Sequence, residues 1–144
     1  MKEKNIELIE TAPTVYLSTI DERGYPNTRA MLNLQNKLLF PSLIPLFNGR
    51  DLHFTTNFAS QKITDILSNN LASAYFCIPE LWHGMMVQGK IEIVEDVKLR
   101  HSIWQRGWET YYPDGVDSID YVVLRLKTEK MSSYYQYRRF DIEF

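Results

Sequence analysis

The segment Phe54-Thr55-Thr56-Asn57-Phe58-Ala59-Ser60-Gln61-Lys62 carries the densest chemistry in this chain of 144 residues. It reads as a strand end, a short polar turn and a helix start bearing a hydroxyl and a lysine. The first N–H groups of a helix have no partner within it and sit at the positive end of its dipole, so an anion docked there gains hydrogen bonds and a favourable field. Ser60 and Lys62 add a hydroxyl and a charge, which outlines a phosphate site. The plainer alternative makes Ser60 a helix cap and Lys62 a solvated lysine, and the segment alone favours that alternative. Arg29, in Pro26-Asn27-Thr28-Arg29-Ala30-Met31, is a second cation, on a strand where a half-buried guanidinium needs an acceptor. Its plain reading is a surface arginine paired with an Asp or Glu.

Other reactive patterns are missing. The chain has no G-x-S-x-G, no Walker loop, no G-x-G-x-x-G, no H-E-x-x-H and no C-x-x-C. His53, His83 and His101 fall on an expected strand, a connection and a helix without partners at ligand spacing, so each reads as an ordinary histidine and no metal site is expected. A net charge of -2, with Arg138-Arg139 as the only dense basic run, argues against a nucleic-acid partner. The single cysteine, Cys77, lies in the apolar run from Ala72 to Ile78 and reads as a buried thiol in a reducing compartment. The charged stretch Met1 to Glu10 lacks the apolar core of a signal peptide, and no run approaches the length of a membrane span. The expectation is a cytoplasmic protein with no membrane partner.

The elements that must hold these residues follow from periodicity. The length suits one domain, residues 1–144, and 44% apolar with 24% charged residues is a globular composition. Lys2 to Thr11 reads as a short amphipathic helix stopped by Pro13. Val15 to Ile20 and Thr28 to Leu34 read as a hairpin around Asp21-Glu22-Arg23-Gly24, with Leu38 to Phe40 extending it or pairing separately. Pro41 to Arg50 is an apolar loop expected to cover a core or meet a second subunit. Leu52 to Thr56 reads as a strand and Ser60 to Asn69 as a helix capped by Ser60, with Ile63, Ile66 and Leu67 on one face. Leu71 to Ile78 and Met85 to Val94 follow as strands, and Asp96 caps a helix to about Arg106. Tyr121 to Leu126 and Met131 to Tyr137 are read as two further strands. Six or seven strands joined mostly by hairpins make a mainly β protein, a barrel or sandwich with peripheral helices.

This order of pieces resembles the pyridoxamine 5'-phosphate oxidase-like FMN-binding split-barrel family, most closely its general stress protein branch. The pieces are Gly24-Tyr25-Pro26, Arg29-Ala30-Met31, Leu52-His53-Phe54-Thr55-Thr56, Ser60-Gln61-Lys62 and Asn70. Val87-Gln88-Gly89-Lys90-Ile91, Glu95-Asp96, Trp104, Tyr111-Tyr112-Pro113-Asp114-Gly115, Val123-Leu124-Arg125-Leu126 and Tyr134-Tyr135 complete the match. The resemblance implies a six-stranded antiparallel split β-barrel that forms a homodimer with FMN at the subunit interface. It also implies that Arg29 and Lys62 contact the FMN phosphate, with Ser60 and Gln61 at the same helix start. The backbone through Arg29, Ala30, Met31, Leu32 and Asn33 would run beside the flavin ring, and Thr55 and Thr56 would contact ring or ribityl. His83 and Gly84 would face the flavin from the other subunit, and Trp108 and Tyr135 would lie on the substrate side.

Three departures qualify that implication. Gln61 stands where the oxidases tend to carry a second basic residue, no flavin-facing glutamine is evident near His83-Gly84, and the residues end at Phe144 without the segment that holds pyridoxine phosphate. The expectation is therefore an FMN-dependent oxidoreductase of unknown substrate and unknown catalytic residues, with no obvious acid or base, and not a genuine pyridoxamine phosphate oxidase. The alternatives are a non-catalytic flavin- or haem-binding sensor, carrier or stress-response protein on the same barrel, and a purely structural dimer. Most of the 19 aromatic rings are assigned to core and interface.

Overall fold

The computed structural model describes residues 2–144. Seven strands form one antiparallel sheet: β1 (Thr14–Ile20), β2 (Pro26–Leu32), β3 (Leu52–Asn57), β4 (Leu71–Ile78), β5 (His83–Ile93), β6 (Tyr121–Tyr135) and β7 (Arg138–Glu143). Six of them follow the order β2-β1-β4-β5-β6-β3, and β7 pairs with β6 off this path. The path curls into a half-barrel, and its two end strands, β2 and β3, approach each other without pairing. Three helices flank it: α1 (Lys2–Thr11), α2 (Gln61–Ser68) and α3 (Val97–Ile103).

Alternation explains the interior. Val15 and Leu17 of β1, Phe54 of β3, Phe76 of β4, Met85 and Val87 of β5, and Leu124 and Leu126 of β6 are fully buried and pack together inside the curl. Leu8 and Ile9 of α1 close one end of this core, and Asn5 ties the helix to the sheet by donating to Ser133 Oγ at 2.9 Å and meeting His83 Nε2 at 3.1 Å. A second cluster covers the outer side of β6 near the seam, built from Leu34, Leu43, Val94, Ile103, Trp108, Tyr112, Tyr121 and Val123. Residues Pro41–Leu46 form a 3-10 turn whose Leu43 enters this cluster, with Phe40 and Phe47 packed against it. The apolar loop therefore covers a core, as its composition suggests.

Several boundaries differ from the sequence reading. The two segments Tyr121 to Leu126 and Met131 to Tyr137 are one strand, β6. A register shift opposite Gln88 and Gly89 leaves Glu129 unpaired, and burial switches from even positions (Val122, Leu124, Leu126, Thr128) to odd ones (Met131, Ser133). One extra residue reverses the phase of a period of two, which hides a continuous strand from a pattern search. Strand β7 was not expected. It follows a tight turn in which Gln136 and Tyr137 both take positive φ, 50° and 66°, a conformation normally signalled by Asn or Gly. Leu38 to Phe40 is turn rather than strand, β2 ends at Leu32 rather than Leu34, and α3 ends at Ile103 rather than near Arg106. Leu67 faces solvent instead of sharing the buried face of α2.

Candidate functional site

The hairpin β1–β2 places Arg29. Asp21 organises its turn by accepting the N–H groups of Arg23 and Tyr25 at 2.9 and 3.0 Å, and Gly24 takes the φ of 85° that the turn requires. Arg29 then faces Leu17 across the pair of strands. Its Nη1 donates to Thr19 Oγ1 at 2.8 Å and to the Leu17 carbonyl at 3.3 Å, and its Nη2 lies 3.8 Å from Asp65 Oδ2. The plain reading of Arg29 is therefore half right. It is paired, but with a fully buried carboxylate and not a surface one.

Helix α2 places Lys62. Ser60 is its N-cap as expected: Oγ accepts the Lys62 backbone N–H at 3.3 Å and the Lys62 ammonium at 2.8 Å. Burial and the positive charge of Arg29 both hold the Lys62 ammonium below its ordinary value. Burial also lowers Arg29, offset in part by Asp65. Two cations thus stand close enough to repel each other, and only one carboxylate, Asp65, is in ion-pair distance of either among the described residues. Such a cluster retains positive charge and gains stability from an anion.

The surrounding groove has a volume of about 220 Å³ and lies at the seam between β2 and β3. Ala30, Met31 and Leu32 of β2 and Thr55 and Thr56 of β3 line it together with Lys62 and Trp108, while Arg29 and Ser60 stand behind this lining. Seven of the residues singled out in the sequence thus share one groove. Tyr111, Tyr112 and Asn57 line it as well. Burial raises the Tyr112 phenol, partly offset by a hydrogen bond to Thr55. Trp108 belongs simultaneously to the second apolar cluster, where it meets Phe40, Trp104, Tyr112 and Tyr121 edge to face.

Other expected residues sit elsewhere. Asn33 is fully buried, and its amide donates to the carbonyls of Ile9 and Ala12 at 2.7 and 2.8 Å, closing the end of α1. Only its backbone is left for a ligand. Gln61 turns toward the helix, donating to Asp65 Oδ1 at 3.2 Å. His83 is buried against α1, with Tyr135 at a centroid distance of 4.7 Å, and neither lines the Lys62 groove of its own chain. Gly84 lies beneath Tyr75, whose hydroxyl would stand 2.2 Å from any added Cβ. His53 is a core residue stacked on Phe47. His101 pairs with Asp117 at 2.6 Å, and no group of three ligating side chains exists among the described residues. No described helix is long and apolar enough to cross a membrane.

Two contributors escape a sequence reading: Thr19 and Asp65. Asp65 did leave a signal, since it is a charged residue beside Ile66 on the buried face of an amphipathic helix. Thr19 looks like any strand threonine until β1, β2 and α2 are assembled.

A half-barrel of six antiparallel strands, curled and open along one seam, with a lysine at a helix start and an arginine on the edge strand there, defines a split-barrel protein. The family model described as "Pyridoxamine 5'-phosphate oxidase" matches residues 1–135, and the chain belongs to that family. The pyridoxine/pyridoxamine 5'-phosphate oxidase of Allorhizobium ampelinum is 34% identical over 84 residues, which cover 58% of this chain and 35% of that relative. The match therefore spans about a third of the relative's length. Among solved structures, a protein from Clostridium acetobutylicum related to general stress protein 26 of B. subtilis is 28% identical with a TM-score of 0.81, covering 99% of this chain and 94% of its own. A heme binding protein from Mycobacterium smegmatis shares the fold at 14% identity and a TM-score of 0.71, covering 99% of this chain and 58% of its own.

Proposed function

We propose that this protein binds FMN as a homodimer in the cytoplasm and acts as an oxidoreductase. The observation that carries this reading is Lys62 at the start of α2, lining a groove whose walls offer backbone, hydroxyl and aromatic groups, with Arg29 of the adjoining edge strand near enough to repel its charge. A phosphate monoester carries about two negative charges and three acceptor oxygens, which suits two cations and a helix N-terminus. Ala30, Met31, Leu32, Thr55 and Thr56 would hold the flavin, and Trp108 would border its ring. Bound flavin would supply the electron transfer; the chain's own groups bind and orient it. A haem reading fits less well, because no histidine lines this groove.

Homodimerisation draws support from size and surface. Small-molecule pockets usually run from roughly 300 to 1,000 Å³, and the groove has about 220 Å³. A second wall would complete it. Tyr16, Tyr75 and Tyr134, with Leu32 on the neighbouring strand, are exposed on the outward face of the sheet, and Leu32 also lines the groove. Titrating purified protein with FMN and with riboflavin, by flavin fluorescence, tests the proposal. FMN should bind more tightly than riboflavin, and Lys62→Met should remove most of that preference, about tenfold or more by the strength of a charge-assisted bond. A protein that takes up neither flavin sinks it.

A further inference from the structure

Asp65 has no exposed side-chain surface, yet both its oxygens are engaged, one of them toward Arg29. Oδ2 accepts the Thr19 hydroxyl at 2.8 Å and faces Arg29 Nη2 at 3.8 Å, while Oδ1 accepts Gln61 Nε2 at 3.2 Å. Thr19 has one hydroxyl proton, and giving it to Asp65 leaves its oxygen free to accept Arg29 Nη1 at 2.8 Å. The hydrogen bonds therefore run one way, from guanidinium to hydroxyl to carboxylate. The Leu17 carbonyl at 3.3 Å takes a second Nη1 contact, while Nε has no protein acceptor among the described residues. A merely structural carboxylate could have paired with Lys62, but that ammonium donates to Ser60 instead.

We propose that Asp65 is a positioning residue: acting on Arg29 directly and through Thr19, it locks the guanidinium so that Arg29 and Lys62 address the same phosphate. This rests on the FMN reading above. A free arginine side chain loses rotamer freedom on binding, and holding it beforehand removes that cost from the ligand's affinity. The negative charge of Asp65 also lets two like charges stand together before any ligand arrives. Asp65 touches no ligand itself.

The test compares FMN, riboflavin and inorganic phosphate binding across Asp65→Asn, Thr19→Val and Thr19→Ser, with circular dichroism confirming the fold. Asp65→Asn and Thr19→Val should each lower FMN affinity about tenfold and leave riboflavin within twofold. Thr19→Ser, which keeps the hydroxyl, should bind both like the parent. If Asp65→Asn does not fold, Thr19→Val against Thr19→Ser decides. Folded variants that lose thermal stability but keep the FMN-to-riboflavin preference would overturn the proposal, since a structural role alone predicts that pattern. Failure of the FMN reading shows differently, as a parent protein that does not prefer FMN. In that case the Arg29 Nη–H signals by low-temperature NMR, without ligand, decide: their hydrogen exchange should quicken in Asp65→Asn and Thr19→Val, and unchanged exchange refutes positioning.

Discussion

At the scale of single residues, burial decides which polar groups are free to act. His53 shows this most plainly. Its side chain is packed inside, the residue being 5% exposed, with Nδ1 lacking any partner. Burial, with a further push from Arg125 against a weak pull from Asp51, lowers its pKa to about 4. The folded protein thus resists a proton that the unfolded chain accepts near the ordinary value of about 6.5. Stability from this group is complete above that value and falls as pH drops toward 4. The predicted loss approaches roughly 3 kcal/mol. Urea unfolding at pH 7 and 4.5 should show a shallower pH dependence in His53→Phe than in the parent. Arg29 and Lys62 are the contrasting case, half-buried at an opening, where the cost of desolvating charge is left for an anion to relieve.

Among the elements, β6 carries the most strain-sensitive detail. Its bulge brings Lys127 against Gly89 so closely that an added Cβ would stand 2.0 Å from the Lys127 carbonyl oxygen. Backbone cannot swing aside as a side chain can, so Gly89→Ala should cost at least about 2 kcal/mol and lower the urea midpoint. The turn into β7 points the other way. Tyr137 holds a φ of 66° while 88% exposed, so it carries left-handed backbone cost without a packing return. Tyr137→Gly should raise thermal stability by about 1 kcal/mol. Both features explain gaps in the sequence reading. Strands β1 to β5 were visible because β-branched and alternating residues are bounded by turn residues such as Asp21-Glu22-Arg23-Gly24 and Asn69-Asn70. A phase reversal at Glu129 and a Gln-Tyr turn carry no such mark.

For the whole molecule, the groove's position matters more than its contents. It sits where the barrel fails to close, bordered by Leu32, beside an outward face that exposes Tyr16 and Tyr75 as cross-strand partners. If a second copy covers that face, flavin binding and dimerisation should fail together. Tyr75→Asp places a charge in the middle of the patch, and analytical ultracentrifugation should then report a monomer with weakened FMN uptake. A monomer that still binds FMN like the parent would separate the two.

Residue type and order alone determined that Ser60 caps a helix, that Lys62 stands at its start, and that hairpin-linked strands form a mainly β protein, barrel or sandwich. Those features are local: capping needs three or four consecutive residues, and alternation needs one strand. Tertiary structure decided that Thr19, Arg29, Lys62 and Asp65 meet, that Asn33 is spent on the end of α1, and that His83 and Tyr135 stand apart from the groove. Thr19 and Asp65 are separated by 46 positions, and only the sheet's curl brings their strand and helix together. Which polar group is buried, and beside what, is a property of the assembled layers, and no local pattern encodes it.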